Sequence, residues 1–170
     1  MKEKFAIAHT PYETGPIGPE DAEAVCAFYN GLSEPSFFFG YLDGRDHSDP
    51  KTWIEILELA KKQGQAIFAL WNKDKIIGIT NISYKEENGE RVAIFSGAKM
   101  ADAHLGQHLS KHLYDVRKQH LRDIGFEGRV EAYIRPSNKP SHRAARGNGF
   151  TDTERTLPEH PDHHIYELRI

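Results

Sequence analysis

A chain of 170 residues, 38 % apolar and 11 % aromatic, is long enough for one domain that buries roughly 70 % of its unfolded surface in a single core. One cysteine, Cys26, excludes an internal disulfide and suits the reducing cytoplasm. The 22 basic and 25 acidic side chains leave −3, which speaks against a general nucleic-acid binder, and no apolar run approaches the roughly 20 residues that span a bilayer.

The first strand is expected at Lys4–Ala8, after a charged start with no apolar run of signal-peptide length. Gly15–Pro19 reads as a loop. Ala22, Val25, Cys26, Tyr29 and Leu32 then recur at helical spacing, with Glu20, Asp21 and Glu23 in the first turn where the helix dipole favours acids. Phe37, Phe38, Phe39 and Tyr41 crowd a loop flanked by Pro35 and Gly40, either as packing or as the apolar wall of a ligand site. Asp49 reads as a helix cap with Pro50 at the first helical position, and Trp53, Ile56, Leu57 and Ala60 form that helix's apolar face.

After Gly64 the pattern turns to strands. Gln65–Trp71 and Lys75–Tyr84 flank a turn at Asn72–Asp74, and Asn88-Gly89 is a second hairpin signal. Arg91–Met100 is the next strand. A long helix follows, with Leu105, Leu109, Leu113, Val116, His120 and Ile124 on one face and Gly125 as its stop. Gly128–Ile134 is a strand, Pro140 opens a short helix that ends at Gly147-Asn148-Gly149, and Phe150–Thr156 and His163–Ile170 close the chain.

The result is a mixed α/β sheet, mostly antiparallel, of about seven strands with about four helices. The stretch 91–134 is too long for a hairpin and predicts a parallel strand–helix–strand crossover. A ligand crevice tends to open where such a sheet changes its connection type. Within 111–146 nine Lys or Arg face four Asp or Glu, a local excess suited to a small polyanion.

Asn138-Lys139-Pro140-Ser141-His142-Arg143, closing on Gly149-Phe150, resembles the Asn-x-x-Ser-x-Arg … Gly-Phe segment of the GNAT N-acetyltransferase superfamily, in the style of its ribosomal-protein N-terminal acetyltransferase branch. The likeness extends over roughly residues 3–169 and implies one acetyltransferase domain over 1–170. The superfamily's phosphate loop reads Arg/Gln-x-x-Gly-x-Gly/Ala. Here it falls on Ala101–Gly106, where only Gly106 matches, Ala101 stands for the Arg or Gln, and His104 for the first glycine.

The resemblance implies acetyl-CoA as co-substrate and direct acetyl transfer to a primary amine in a ternary complex. The alternative is a non-catalytic module that binds or senses acyl-CoA. Backbone amides at a helix start suit a pyrophosphate, which assigns His104, Leu105, Gly106, Gln107 and His108 to the cofactor. Ala98, Lys99 and Met100, near a bulge expected at Gly97, are assigned to the thioester and the pantetheine arm, with Ile134 and Arg135 from the next strand. Asn138, Ser141 and Arg143 complete the set, although Asn138 also reads as a plain helix cap. Arg143, Arg146, Lys111, Arg117, Lys118 and Lys139 are candidates for the 3′-phosphate.

The superfamily's usual tyrosine acid is replaced by Ala145, and the resemblance moves that role to Ser141. Glu131 and Tyr84 are candidates for the base, with loss of the proton through water as a third route. His104, His108 and His112 stand at i, i+4 and i+8, a spacing that can hold zinc on a helix, but no carboxylate stands at fixed spacing, and no metal is expected. The acceptor is a small molecule or a protein N-terminus, met near the Phe37–Tyr41 loop, the 157–162 connection and the acids Asp43, Asp46 and Glu159. No membrane partner is expected, direct nucleic-acid contact is disfavoured, and a homodimer is allowed.

Overall fold

In a computed structural model, residues 4–33 and 45–170 are described. The aromatic segment Pro35–Leu42 and Asp43 lie outside them. In chain order the elements are β1 (Phe5–Ala6), β2 (Tyr12–Pro16), α1 (Ala22–Asn30), α2 (Pro50–Lys62), β3 (Ala66–Asn72), β4 (Lys75–Glu87), β5 (Glu90–Ile94), β6 (Ala98–Met100), α3 (Ser110–Asp123), β7 (Arg129–Ile134), α4 (Lys139–Gly147), β8 (Thr151–Thr156) and β9 (His164–Arg169). The chain divides into two compact units, residues 1–81 with 97–116, and residues 82–96 with 117–170.

In the first unit β1, β2, β3 and the start of β4 are successive neighbours, and β6 pairs antiparallel with β4, Gly78 opposite Met100 and Thr80 opposite Ala98. Alternation along β3 splits its side chains between two cores. Ile67, Ala69 and Trp71 pack with Val25, Cys26, Phe28 and Tyr29 of α1 and Trp53, Ile56, Leu57 and Ala60 of α2. Tyr29 and Trp53 stack at 4.3 Å between ring centres. On the other face Leu70 and Ile77 pack with Leu109, Leu113 and Met100. Helix α2 starts as expected: Asp49 Oδ1 accepts from the Lys51 amide at 2.9 Å, with Pro50 at the first helical position.

In the second unit the end of β4 pairs antiparallel with β5, β5 runs parallel to β7, and β9 pairs antiparallel with both β7 and β8. The expected parallel crossover is therefore present. Tyr84, Ala93, Val130 and Leu168 lie in one cross-strand row, and Ala132 stands opposite Tyr166 on the same face. Arg117 of α3 stacks over Phe95 at 4.1 Å, and α4 meets this face through His142 on Tyr166. Lys85, Arg129, Glu131 and Glu167 occupy the opposite face.

The structure corrects four sequence expectations. The sheet has nine strands among the described residues, because Tyr12–Pro16 forms β2 where a loop was expected at Gly15–Pro19. Pro16 ends β2, a position that strands tolerate. The expected strand 91–100 is two strands. From Ser83 to Thr80 β4 spans three residues, while its partners run from Ile94 to Ala98, one residue more. That extra residue is a bulge at the expected place, with Gly97 at φ +56°. The long helix begins only at Ser110, since Gly106 at φ +75° and His108 at φ +59° are left-handed and cannot join a right-handed helix. Leu105, expected on the buried face, is consequently 61 % exposed, and Ile124, expected there too, lies one residue beyond the helix and is 49 % exposed. Arg117, expected among the surface cations, is 1 % exposed beneath Phe95.

Candidate functional site

The strongest local feature of the first unit is the stretch between β6 and α3. The amides of Gly106, Gln107, His108, Leu109 and Ser110 donate to no acceptor among the described residues. The first N–H groups of a helix have no partner within it, and five consecutive open donors there are a natural anion site. A Cβ built on Gly106 meets nothing within 4 Å, so the space over these amides is open. Asp102, an acid that would repel phosphate, is turned away: its Oδ2 accepts from the Ser33 amide at 2.7 Å, a bond that also holds its carboxyl below the usual range. The Gln107 side chain folds back onto the Ala103 carbonyl at 3.1 Å, and His104 presents its ring edge-on to Tyr12 at 6.5 Å. His104 Nδ1 is buried and unpartnered among the described residues.

Strand β6 has β4 as its one strand neighbour among the described residues. The Ala101 amide donates to Ile77 O, so alternation turns the amides of Ala98 and Met100 to the open edge and that of Lys99 to β4. Met100 belongs to the packed cluster with Leu70 and Leu113. A Cβ on Gly78 would stand 2.6 Å from its Sδ, so a glycine is needed opposite Met100.

In the second unit β7 also has an open edge. Its pairing with β5 stops at Glu131, whose carbonyl accepts from the Phe95 amide, and Ala132, Tyr133 and Ile134 have no strand partner on that side among the described residues. The chain then turns into α4. Asn138 caps this helix, its Oδ1 accepting from the Ser141 amide at 3.2 Å. Asn138, Ser141 and Arg143 thus share one helical turn, with Arg143 exposed.

The two candidate bases lie on opposite faces. Glu131 is fully buried. Its Oε2 accepts from Lys85 at 3.0 Å and from Tyr133 Oη at 2.8 Å, and its Oε1 meets Arg129 and Arg155, each at 3.4 Å. Burial opposes the charge on Lys85, but the hydrogen bonds it donates to Tyr133, Glu131 and Glu87 outweigh it and hold the amine above its ordinary value. Burial, then the Glu131 carboxylate, push Tyr133 up to about 12. Tyr84 packs on Phe126 at 6.2 Å and under Arg91 at 4.2 Å, and its burial raises the phenol above its ordinary value.

The histidine stripe does not form. His104 lies in a 3₁₀ turn (Asp102–His104), His108 is left-handed, and only His112 is on α3. In the second unit His160, Asp162 and His163 bring three donor atoms within 4.8 Å of one another. Arg135 Nε donates to His163 Nε2 at 3.2 Å, so a guanidinium already sits on this turn.

The sequence model of the Acetyltransferase (GNAT) family matches residues 25–150. The chain belongs to this family. Its GNAT fold recurs in solved structures of low sequence identity. A ribosomal-protein alanine acetyltransferase from Vibrio fischeri superposes with a TM-score of 0.74 at 17 % identity, covering 98 % of this chain and 96 % of that one. RimJ from Mycobacterium smegmatis, in complex with CoA-disulfide, gives 0.75 at 15 % identity, covering 99 % and 86 %. The GNAT domain of S. lividans PAT gives 0.75 at 15 %, covering 99 % and 97 %. No curated protein sequence matches the chain.

Within this GNAT chain the sequence reading missed two features. One is that the run of open amides expected around Gly106 to His108 continues through Leu109 and Ser110. The other is the ring of His142, whose contacts come from β7 and β9. No helix among the described residues is long and apolar enough to cross a membrane.

Proposed function

We propose that the protein is an acetyl-CoA-dependent N-acetyltransferase that moves an acetyl group to a primary amine by direct transfer in a ternary complex. The five open amides at Gly106–Ser110 carry this reading, because they supply pyrophosphate donors without the arginine and first glycine that the family loop usually holds. The family match runs through both units, which supports treating residues 1–170 as one acetyltransferase domain. The single cysteine supports a cytoplasmic setting.

Bound acetyl-CoA supplies an activated thioester. Gly106, Gln107 and His108 hold the pyrophosphate through backbone donors, with His104 and Leu105 flanking them. Ala98 and Met100 pair their open amides with the pantetheine arm or the thioester carbonyl beside Lys99, and Ile134 lines the arm. Asn138 and Arg143 hold the rest of the cofactor. The amine nitrogen bonds to the carbonyl carbon, the carbon–sulfur bond breaks, and Ser141 gives its hydroxyl proton to the departing thiolate and takes one back from water, which the proton lost by the nitrogen replenishes. The ammonium proton leaves through water. Glu131, with both oxygens engaged by four partners, serves the sheet, and Tyr84, turned to the other face, serves packing.

The acceptor is a small amine or a protein N-terminus. The similar ribosomal-protein-S5-alanine acetyltransferase from Vibrio fischeri favours the N-terminus as the first class to screen. The test is free-thiol release from acetyl-CoA across a panel of amines and N-terminal peptides. Amine-dependent release supports the reading, and release absent from every acceptor despite tight binding points to an acyl-CoA sensor.

A further inference from the structure

His142 stands in the first turn of α4, directly after Ser141. Its Nε2 lies 2.9 Å from the Arg135 carbonyl. A carbonyl only accepts, so Nε2 carries the proton. Its Nδ1 lies 2.8 Å from Tyr166 Oη. Tyr166 is fully buried on β9, and its desolvation, followed by its hydrogen bond with the neighbouring Asp152, raises the phenol above its ordinary value. The ring planes of His142 and Tyr166 lie 5.4 Å apart at 59°. Both ring nitrogens thus have a partner.

The same Arg135 carbonyl accepts from the Asn138 amide at 2.9 Å. One oxygen therefore closes the turn that leaves β7 and anchors the helix that follows. Asn138 Oδ1 in turn caps Ser141. The ring ties three elements together: the end of β7, the buried hydroxyl on β9 and the turn that carries Asn138, Ser141 and Arg143.

We propose that His142 is a positioning residue, a two-sided clasp that fixes the first turn of α4 and through it the acetyl-CoA contacts of Asn138, Ser141 and Arg143. This rests on the acetyl-CoA reading above. Two directed hydrogen bonds at right places on one rigid ring hold a helix turn more narrowly than packing alone, and a displacement of about 1 Å is enough to cost a site much of its rate. His142 itself need not touch the co-substrate.

The test compares H142F, which keeps a ring but removes both hydrogen bonds, with H142Q, whose amide can still donate to the Arg135 carbonyl, and with Y166F, which removes the hydroxyl that meets Nδ1 and leaves the bond to the Arg135 carbonyl. Acetyl-CoA affinity is measured by calorimetry on the full chain, and KM for each substrate is taken from thiol release. The expected result is an acetyl-CoA Kd raised about tenfold in H142F, the size of one lost directed bond. Y166F moves the same way by less, H142Q recovers part of the loss, and the KM for the amine stays put. Combining H142F with Y166F adds nothing, since both break one clasp. An unchanged acetyl-CoA Kd in folded H142F and Y166F overturns the proposal, as does an equal rise in the amine KM. If H142F does not fold, Y166F and H142Q decide the matter alone. Wild-type protein that binds no acetyl-CoA overturns the functional reading instead.

Discussion

Replacing Gly106 by alanine separates the phosphate loop from the stability of the fold. The added Cβ meets no atom within 4 Å, so there is no clash to relax. The cost to the free protein is the left-handed backbone at φ +75°, about 1 kcal/mol for a non-glycine residue. For a chain of this size that lowers Tm by roughly 3 °C. Binding is affected differently. A methyl group over the open amides holds a phosphate away from at least one of them, and a charge-assisted hydrogen bond is worth about 1.5 kcal/mol or more, so the Kd rises about tenfold. With CoA at about a hundred times the wild-type Kd, ligand stabilises the wild type by about 2.7 kcal/mol and the variant by about 1.4 kcal/mol. The CoA-induced rise in Tm is thus roughly halved in a melt followed by circular dichroism. A G106A variant whose CoA-induced shift equals that of the wild type refutes the assignment of these amides to the pyrophosphate.

Two helix caps make a matched pair: N138A and D49A each lose about 1 kcal/mol of stability, but only N138A weakens acetyl-CoA binding in calorimetry, because Asp49 caps α2. Glu131→Ala strands Lys85, Arg129 and Arg155 around an empty half-buried site, and urea unfolding should show a loss of about 3 kcal/mol; a variant of unchanged stability that loses kcat would restore Glu131 as the base. Burial holds His112 and His120 below their ordinary 6.5, so the unfolded chain takes up protons that the folded chain refuses. Their contribution to stability is present above pH 6.5 and lost as pH falls, which appears as a lower urea midpoint at pH 5.5 than at 7.5 and a smaller drop in H120Q. Tyr133, raised to about 12, gives the opposite arm: stability present below pH 10 and lost as pH rises toward 12, flattened in Y133F.

Where the chemistry was local, the sequence was readable. Asp49-Pro50 and Asn138 to Ser141 are caps whose geometry depends on the neighbouring residues, and the Asn88-Gly89 turn depends on left-handed tolerance at φ +53° and +77°. The parallel crossover followed from segment lengths. What could not be read depended on distant partners. Pro16 looked like a loop residue because its pairing with Phe68 lies across β3. The periodicity of Leu105 to Ile124 suggested a longer helix because apolar spacing carries no record of left-handed residues such as His108. Glu131 looked like a free strand carboxylate, since its four partners come from β4, β7 and β8. The phosphate loop was the reverse case: its side chains departed from the family pattern, while its backbone kept the donors the chemistry needs.

The central claim is that this GNAT chain transfers acetyl from acetyl-CoA to an amine. Its most direct test is acetyl-CoA turnover by the full chain, read as free thiol with and without a panel of amines and N-terminal peptides, at enzyme concentrations where binding is saturated. The account predicts thiol release that depends on at least one amine, with an acetylated product of matching amount in mass spectrometry. Saturated acetyl-CoA binding with no amine-dependent release, or no binding at all, would contradict it.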